Sequence, residues 1–350
     1  MLIRAISTFC ILTILLCVTF KFFHSVILQH YSTLKPTKPL KPDSNIKYEN
    51  YPSFQNTKLP DCKRITKRDD LVFQRNLSKS LLNIHMLEQR YSRDFKINNI
   101  CSPQDCKPNS KIMVLIPFRN RMKQLVFLLQ NLIPFLQKQK IQFKITVLEQ
   151  NQATTFNRGK LFNVGYNLTM ADSIKTGFEY DCLVFHDVDL IPLDERLSYE
   201  CSGSSVKHLS VKLPFATSFG GVSELPRKSF KHVNGYSNLY WGWGGEDDDL
   251  KIRLDKQKIK QERVLTTEKV NWHVVENTKS HQEEGNRENP KRFELKKKAL
   301  NRWRRDGLSN LRFEVVEKKN NSVFDHFVVN IGDSDCEEFF TTDCVDRTVL

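Results

Sequence analysis

Among the nine cysteines of this 350-residue chain there is no Cys-x-x-Cys pair, which argues against a zinc or dithiol redox motif. No internal repeat is visible, so nothing points to a solenoid or a propeller. The net charge of +14 comes without an RNA- or DNA-binding signature. Its densest basic cluster, Lys296 to Arg305, has the helical spacing of a solvated face, and nucleic acid is not an expected partner. No small-x-small cleavage site follows the apolar stretch at the amino end, which favours a retained signal anchor over a removed signal peptide.

That anchor is short. Ala5 to Phe20 is an unbroken run of apolar, Ser, Thr and Cys residues, less than the roughly 20 residues a bilayer asks for. Phe22 to Leu28 completes it if Lys21 snorkels. Such a span suits the thinner early secretory membranes, with the bulk of the chain lumenal. Cys10 and Cys17 lie in the anchor, leaving seven cysteines, an odd number, so at least one is free or paired between chains. Sequons at Asn76, Asn167 and Asn320 agree with a lumenal address.

The expected organisation is an anchor over residues 1–28, a Pro/Lys-rich stem over 29–60, a globular domain over 61–334 and a tail over 335–350. Within the domain, Ile112 to Ile116 is a continuous apolar run ended by Pro117, as in a buried strand. Leu125, Leu128, Leu129, Leu132 and Phe135 recur at helical spacing, and Phe143, Ile145 and Val147 alternate like a strand. Leu161 to Met170 reads as a helix and Cys182 to Phe185 as a third strand. The alternation predicts an α/β domain with a largely parallel central sheet, whose ligands bind beyond the carboxyl ends of its strands.

Residues Tyr240 to Leu250 read Tyr-Trp-Gly-Trp-Gly-Gly-Glu-Asp-Asp-Asp-Leu, after an Asn234-Gly235 turn signal. Indoles flanked by glycine suit a sugar ring, and an adjacent carboxylate can take a hydroxyl proton. The plainer reading of the acids is the first turn of a helix starting near Leu250, where negative charge complements the macrodipole. The third strand ends in His186-Asp187-Val188-Asp189, a pair of carboxylates able to share a hard divalent cation. Arg119 and Arg121 close the first strand, and Phe156-Asn157-Arg158 follows the second. Basic turns and an acidic pair at neighbouring strand ends fit a nucleotide diphosphate held with a metal.

FRNR (118–121), FNRGKLFNVGY (156–166), FHDVDLIP (185–192), FGGVS (219–223), NGYSNLYWGWGGEDDDL (234–250), GNRENPKRF (285–293) and DGLSNL (306–311) occur in one order along the chain. In these segments the sequence resembles the β-1,4-galactosyltransferases of the animal Golgi. The resemblance implies a type II Golgi membrane protein of GT-A fold. Such a protein transfers galactose from UDP-galactose to the 4-hydroxyl of a terminal N-acetylglucosamine, with inversion and with Mn2+. By position it implies Asp247 as general base, with Glu246 and Asp248 orienting the acceptor. It implies nucleotide-sugar binding by Pro117, Phe118, Arg119, Arg121, Phe156, Arg158, Asp187, Val188, Ser218 and Trp243. Acceptor binding falls to Phe215, Gly221, Trp243, Gly245, Glu246, Asp248, Arg292 and Phe293. Asp189 becomes the metal ligand, and Cys62–Cys106 and Cys182–Cys201 the disulfides.

Four departures from the family pattern bear on function. Asn277 and Ser280 stand where two further metal ligands are usual; His281 is one residue late and is the expected second ligand after a small loop adjustment, and His273 is farther off. Ser218 replaces a Tyr that crowds the C2 substituent of the donor in galactose-specific relatives, which opens a reading as a UDP-N-acetylgalactosamine user. Lys212 to Phe215 is a shortened segment of the substrate wall. Lys296 occupies a usually apolar acetamide pocket. The incomplete metal set also fits a catalytically weak sugar- or nucleotide-binding relative.

Overall fold

The computed structural model describes residues 59–63, 83–151, 154–194, 197–210, 219–263, 272–274 and 287–333, without the side chains of residues 97, 273 and 274. The anchor, the stem up to residue 58, Asn76, Phe215, Ser218, Asn277, Ser280, His281 and the tail lie outside the described residues. Among the described residues no helix is long and apolar enough to cross a membrane.

The chain enters through a short helix α1 (Ile84–Tyr91) and two short strands, β1 (Phe95–Lys96) and β2 (Ile100–Cys101). Strand β3 (Lys111–Phe118) is the apolar run read from the sequence, and it continues through Pro117 instead of ending there. Pairing with the third strand stops at Leu115, so Pro117 lies where β3 keeps one neighbour only; a missing N–H is tolerated at such an edge. Helix α2 (Met122–Lys138) contains Pro134, which cannot donate to the carbonyl of Gln130. The Tyr91 hydroxyl donates to that carbonyl at 3.4 Å, and the helix runs on.

Strand β4 (Gln142–Gln150), helix α3 (Arg158–Thr176) and strand β5 (Cys182–His186) complete a parallel core in the spatial order β4-β3-β5. On β3, Ile112, Val114 and Ile116 face the α2 side of the sheet, while Met113 and Leu115 face α3, the period of two expected of a strand buried on both faces. Gly165 lets α3 approach: a Cβ there would lie 2.5 Å from Leu148.

After β6 (Leu190–Pro192) and β7 (Val206–His208), strand β8 (Val222–Pro226) returns antiparallel to β5. Two helices follow, α4 (Arg227–His232) and α5 (Glu246–Lys256). Strand β9 (Gln261–Arg263) joins β7, and β10 (Trp272–Val274) pairs with β6 in a separate two-stranded sheet. Helices α6 (Arg292–Lys297) and α7 (Ala299–Arg302) precede the hairpin of β11 (Glu314–Lys319) and β12 (Asp325–Asn330), and β12 lies parallel to β4. The sheet is therefore mixed: parallel around β3, antiparallel through β8. Its α/β character holds, but its parallel part is narrower than the sequence suggested. Between β5 and β8 the chain passes through β6 and β7, and among the described residues of that stretch there is no crossover helix of the kind that joins parallel neighbours.

Disulfides join Cys62 to Cys106 and Cys182 to Cys201, and Cys101 is a buried free thiol. Asn167 and Asn320 are both exposed.

Candidate active site

The carboxyl ends of β3, β4 and β5 bring the basic turns and the acidic pair together. Arg158 opens α3, and its guanidinium donates from Nε to Asp187 at 2.6 Å and from Nη1 to Asp247 at 2.8 Å. The same Nη1 reaches Glu246 at 3.3 Å, and the guanidinium carbon stacks 4.7 Å above Phe162. One cation thus ties the end of β5 to the start of α5. Arg121 donates to Asp189 at 3.2 Å. Arg119 donates to the carbonyl of Thr154 and lies 5.2 Å above the ring of Phe156. Phe118 and Val188 are buried beneath these groups, with Pro117 inside β3.

The Trp-Gly-Trp-Gly-Gly segment is shaped by its glycines. Gly242 and Gly245 have φ of 94° and 100°, and a Cβ on either would strike Arg287 O at 2.4 Å or the Tyr240 ring at 2.6 Å. The backbone docks on both sides: Gly242 N–H donates to Phe156 O, and Trp243 exchanges hydrogen bonds with Arg287 and Asn289. Trp243 is left 43% exposed, and Phe293 58% exposed with Arg292 stacked 4.4 Å away. Gly221, with φ of 80°, lies just before β8.

Helix α5 starts at Glu246, four residues earlier than the Leu250 start, so all four acids occupy its first turn. A helix turns about 100° per residue, and each carboxylate accordingly meets a different neighbour. Glu246 and Asp247 face Arg158, and the Tyr236 hydroxyl approaches Asp247 at 3.4 Å. Asp248 accepts from Lys296 at 3.1 Å on the Phe293 side. Asp249 points inward to Arg253, Arg302 and the Tyr240 hydroxyl, in a buried network that includes Asp306. The helix start and the acids expected to serve a sugar site therefore lie in one turn. Tyr236 and the Asp249 network were not singled out from sequence, although both lie inside segments 234–250 and 306–311.

Burial raises the pKa of Glu246 to about 8, with the charge of Asp247 adding to it. Asp247 is raised by burial too, while Arg158 pulls it back down. The two carboxyls therefore titrate as a pair. Asp187 is raised by burial and by Asp189, against Arg158. His186 is fully buried and falls to about 4, so it is neutral. Its Nδ1–H donates to Asp187 O at 2.8 Å, and its Nε2 accepts from the Tyr199 hydroxyl at 3.1 Å.

Asp187 and Asp189 offer oxygen donors of the kind a hard divalent cation takes. Among the described residues no third His, Cys, Asp or Glu joins them. The backbone of His273 lies opposite Ile191 in the β6–β10 pair, two positions beyond Asp189. Among the described residues buried Arg158 Nη2 and Glu246 Oε2 have no protein partner, which leaves two polar atoms for a bound molecule.

Residues 66–202 match the family model for the N-terminal region of glycosyl transferase group 7, and residues 202–275 match that for the N-terminal domain of galactosyltransferase. The chain is 35% identical over 293 residues to β-1,4-galactosyltransferase 4 of Homo sapiens, covering 80% of each. It is 34% identical over 313 residues to β-1,4-galactosyltransferase 5 of Mus musculus, covering 87% of this chain and 74% of the mouse protein. Among solved structures, a mutant of Drosophila β-1,4-galactosyltransferase 7 in complex with manganese, UDP-Gal and xylobiose aligns with a TM-score of 0.55 and 28% identity. That alignment spans 65% of this chain and 97% of the fly chain.

Proposed function

The chain belongs to the β-1,4-galactosyltransferase family and is a hexosyltransferase; from that premise we propose that it moves galactose from UDP-galactose, with inversion, to the 4-hydroxyl of a terminal N-acetylglucosamine. The observation that carries the proposal is Asp247 in the first turn of α5, joined through Arg158 to Asp187 at the end of β5. That link sets a proton acceptor at a fixed place relative to the diphosphate end of the crevice. Asp247 takes the proton from the acceptor hydroxyl as the new bond forms. Asp248 and Trp243 orient the acceptor, and Phe293 with Arg292 borders it.

Asp189 would hold Mn2+, with Asp187 beside it, and the ion would supply Lewis-acid stabilisation of the departing diphosphate. The fly relative, solved with manganese and UDP-Gal, supports this cofactor and donor. Arg119, Arg121 and Phe156 line the approach to the diphosphate. The described site keeps buried polar atoms open on Arg158 and Glu246, which suit sugar hydroxyls.

The proposal includes the Golgi membrane, with residues 1–28 as a type II anchor, residues 29–60 as stem and residues 61–334 in the lumen. Two disulfides suit that oxidising compartment. Ser218 favours a second reading in which UDP-N-acetylgalactosamine is the donor. A transfer assay of the lumenal domain with manganese, offering each UDP-sugar separately to an N-acetylglucosamine acceptor, tests both. UDP binding without product from either donor would leave a sugar- or nucleotide-binding relative instead.

A further inference from the structure

Glu224 is fully buried in the middle of β8, where it stands opposite Val184 of β5. A buried carboxylate is costly unless it is paired and hydrogen-bonded, and the partners of Glu224 place it against a disulfide. Its Oε1 lies 3.5 Å from Cys182 Sγ and accepts from the Ser202 N–H at 3.1 Å. Its Oε2 accepts from Lys207 Nζ, on β7, at 3.2 Å. The two sulfurs of the Cys182–Cys201 bridge and this carboxylate lie within 4.8 Å of one another. Cys182 is buried, whereas Cys201 is partly exposed.

We propose that Cys182–Cys201 is a site of thiol–disulfide exchange with a dithiol reductant, in which Glu224 is the proton donor to Cys182. Of the two cysteines Cys201 is the more exposed, so the attack is assigned to it. When the reductant thiolate bonds to Cys201 Sγ, the S–S bond breaks and its electron pair goes to Cys182 Sγ. A thiolate formed in that buried place needs a proton, and Glu224 passes one to it, becoming a carboxylate beside Lys207 and later regaining a proton from solvent. The second reductant thiol, losing its proton to solvent, then displaces Cys201, whose thiolate takes up a proton. The products are two protein thiols and the reductant disulfide.

The other bridge shows the contrast. Asp105 lies beside Cys106 Sγ at 3.6 Å, but it is exposed and bound to Lys140, which holds its pKa below the usual carboxylate range. It has no proton to give near neutrality. Glu224 is raised to about 7 by burial, against Lys207 and with Glu200 adding slightly.

Opening the bridge reaches the nucleotide site, a consequence that rests on the transferase reading. Cys201 anchors the segment that carries Tyr199, whose hydroxyl fixes His186, which in turn holds the backbone of Asp187. Selective reduction is expected to weaken UDP binding with Mn2+ by about 10-fold.

The test uses the full-length protein and dithiothreitol between pH 6 and 8.5, with the two bridges followed separately by alkylation and peptide mass spectrometry. The ratio of the Cys182–Cys201 rate to the Cys62–Cys106 rate cancels the thiolate fraction of the reductant. In the wild type it should rise about 10-fold as pH falls through 7, and in Glu224→Gln it should be flat and low. Should that variant not fold, Lys207→Met should move the midpoint to higher pH, because it removes the cation that lowers Glu224. A pH-independent ratio in the wild type, or an unshifted midpoint in Lys207→Met, would overturn the proposal. Unchanged UDP affinity after selective reduction would overturn the link to Asp187 and leave the transferase reading standing.

Discussion

Asp247 Oδ1 accepts a hydrogen bond from Arg158 Nη1 at 2.8 Å, while Nε of the same guanidinium holds Asp187 at 2.6 Å. The proposed proton acceptor and the carboxylate beside the proposed metal position are thus braced on one rigid planar group. Arg158 comes from the turn after β4, read from the sequence as a diphosphate cation. Among the described residues its bonded partners are carboxylates, and Nη2 is left for a ligand.

Asp247→Asn should abolish transfer while leaving UDP affinity within about 3-fold of wild type, because a base acts on the acceptor proton and not on the nucleotide. A loss on the order of 10³-fold in kcat is expected of a missing general base. Initial rates and calorimetric UDP titration check the two halves. Near-normal turnover would remove Asp247 from the role.

The pH profile should carry the same residue. Asp247 must be ionised to accept a proton, and its pKa is raised chiefly by burial. Activity should therefore fall as pH drops, with the acid limb of kcat/KM lying above the ordinary aspartate range. Arg158 is the strongest influence lowering that pKa. The residual activity of Arg158→Gln should then show its limb at higher pH than wild type, and a limb moved downward would contradict the assignment.

Two residues along the same helix, the chemistry gives way to structure. Asp249 is fully buried and bonded to Arg253 and Arg302. Asp249→Ala leaves those cations uncompensated and should cost about 3–5 kcal/mol. In urea denaturation the midpoint should drop with the slope unchanged. A variant of wild-type stability would mean that Arg253 and Arg302 are satisfied by Asp306 alone.

The third metal ligand is open to a direct measurement. His281→Ala should raise the Mn2+ concentration for half-maximal activity by about 10-fold, as loss of a ligand or its support does. An unaltered Mn2+ dependence would exclude His281. His273, whose backbone lies across from Ile191, would then be the histidine to replace.

The parallel core was legible because β3 and β5 are apolar runs, β4 alternates Phe143, Ile145 and Val147, and α2 repeats its leucines at helical spacing. The antiparallel return of β8 was not, since partner choice between strands is set by the path of the chain and not by local pattern. The same limit applies in the site. Turn position and charge say that Arg158 meets anions, but its partners lie 29, 88 and 89 residues away. Only the folded chain shows that Asp187, Glu246 and Asp247 reach it first. Residue type alone does not separate the four acids in the first turn of α5, three of which take roles only from the family resemblance, and the helical rotation gives them different surroundings.

Donor choice should turn on Ser218. In galactose-specific relatives of the family this chain resembles, a Tyr at this position sets a ring and hydroxyl beside the C2 group of the sugar. A galactose hydroxyl fits there, and an acetamido group collides. Ser leaves that volume open, so measurable use of UDP-N-acetylgalactosamine is expected beside UDP-galactose. Ser218→Tyr should shift the ratio of the two rates towards galactose by about 10-fold or more, because the new clash falls on one donor only. UDP affinity should stay near wild type in that variant, since the proposed nucleotide contacts lie at the ends of β3 and β4. The shortened Lys212 to Phe215 segment is the competing influence, as it could carry Ser218 away from the sugar. Parallel initial rates with both donors decide the matter: an unchanged ratio in Ser218→Tyr would mean that residue 218 does not line the donor site, and the N-acetylgalactosamine reading would lose its support.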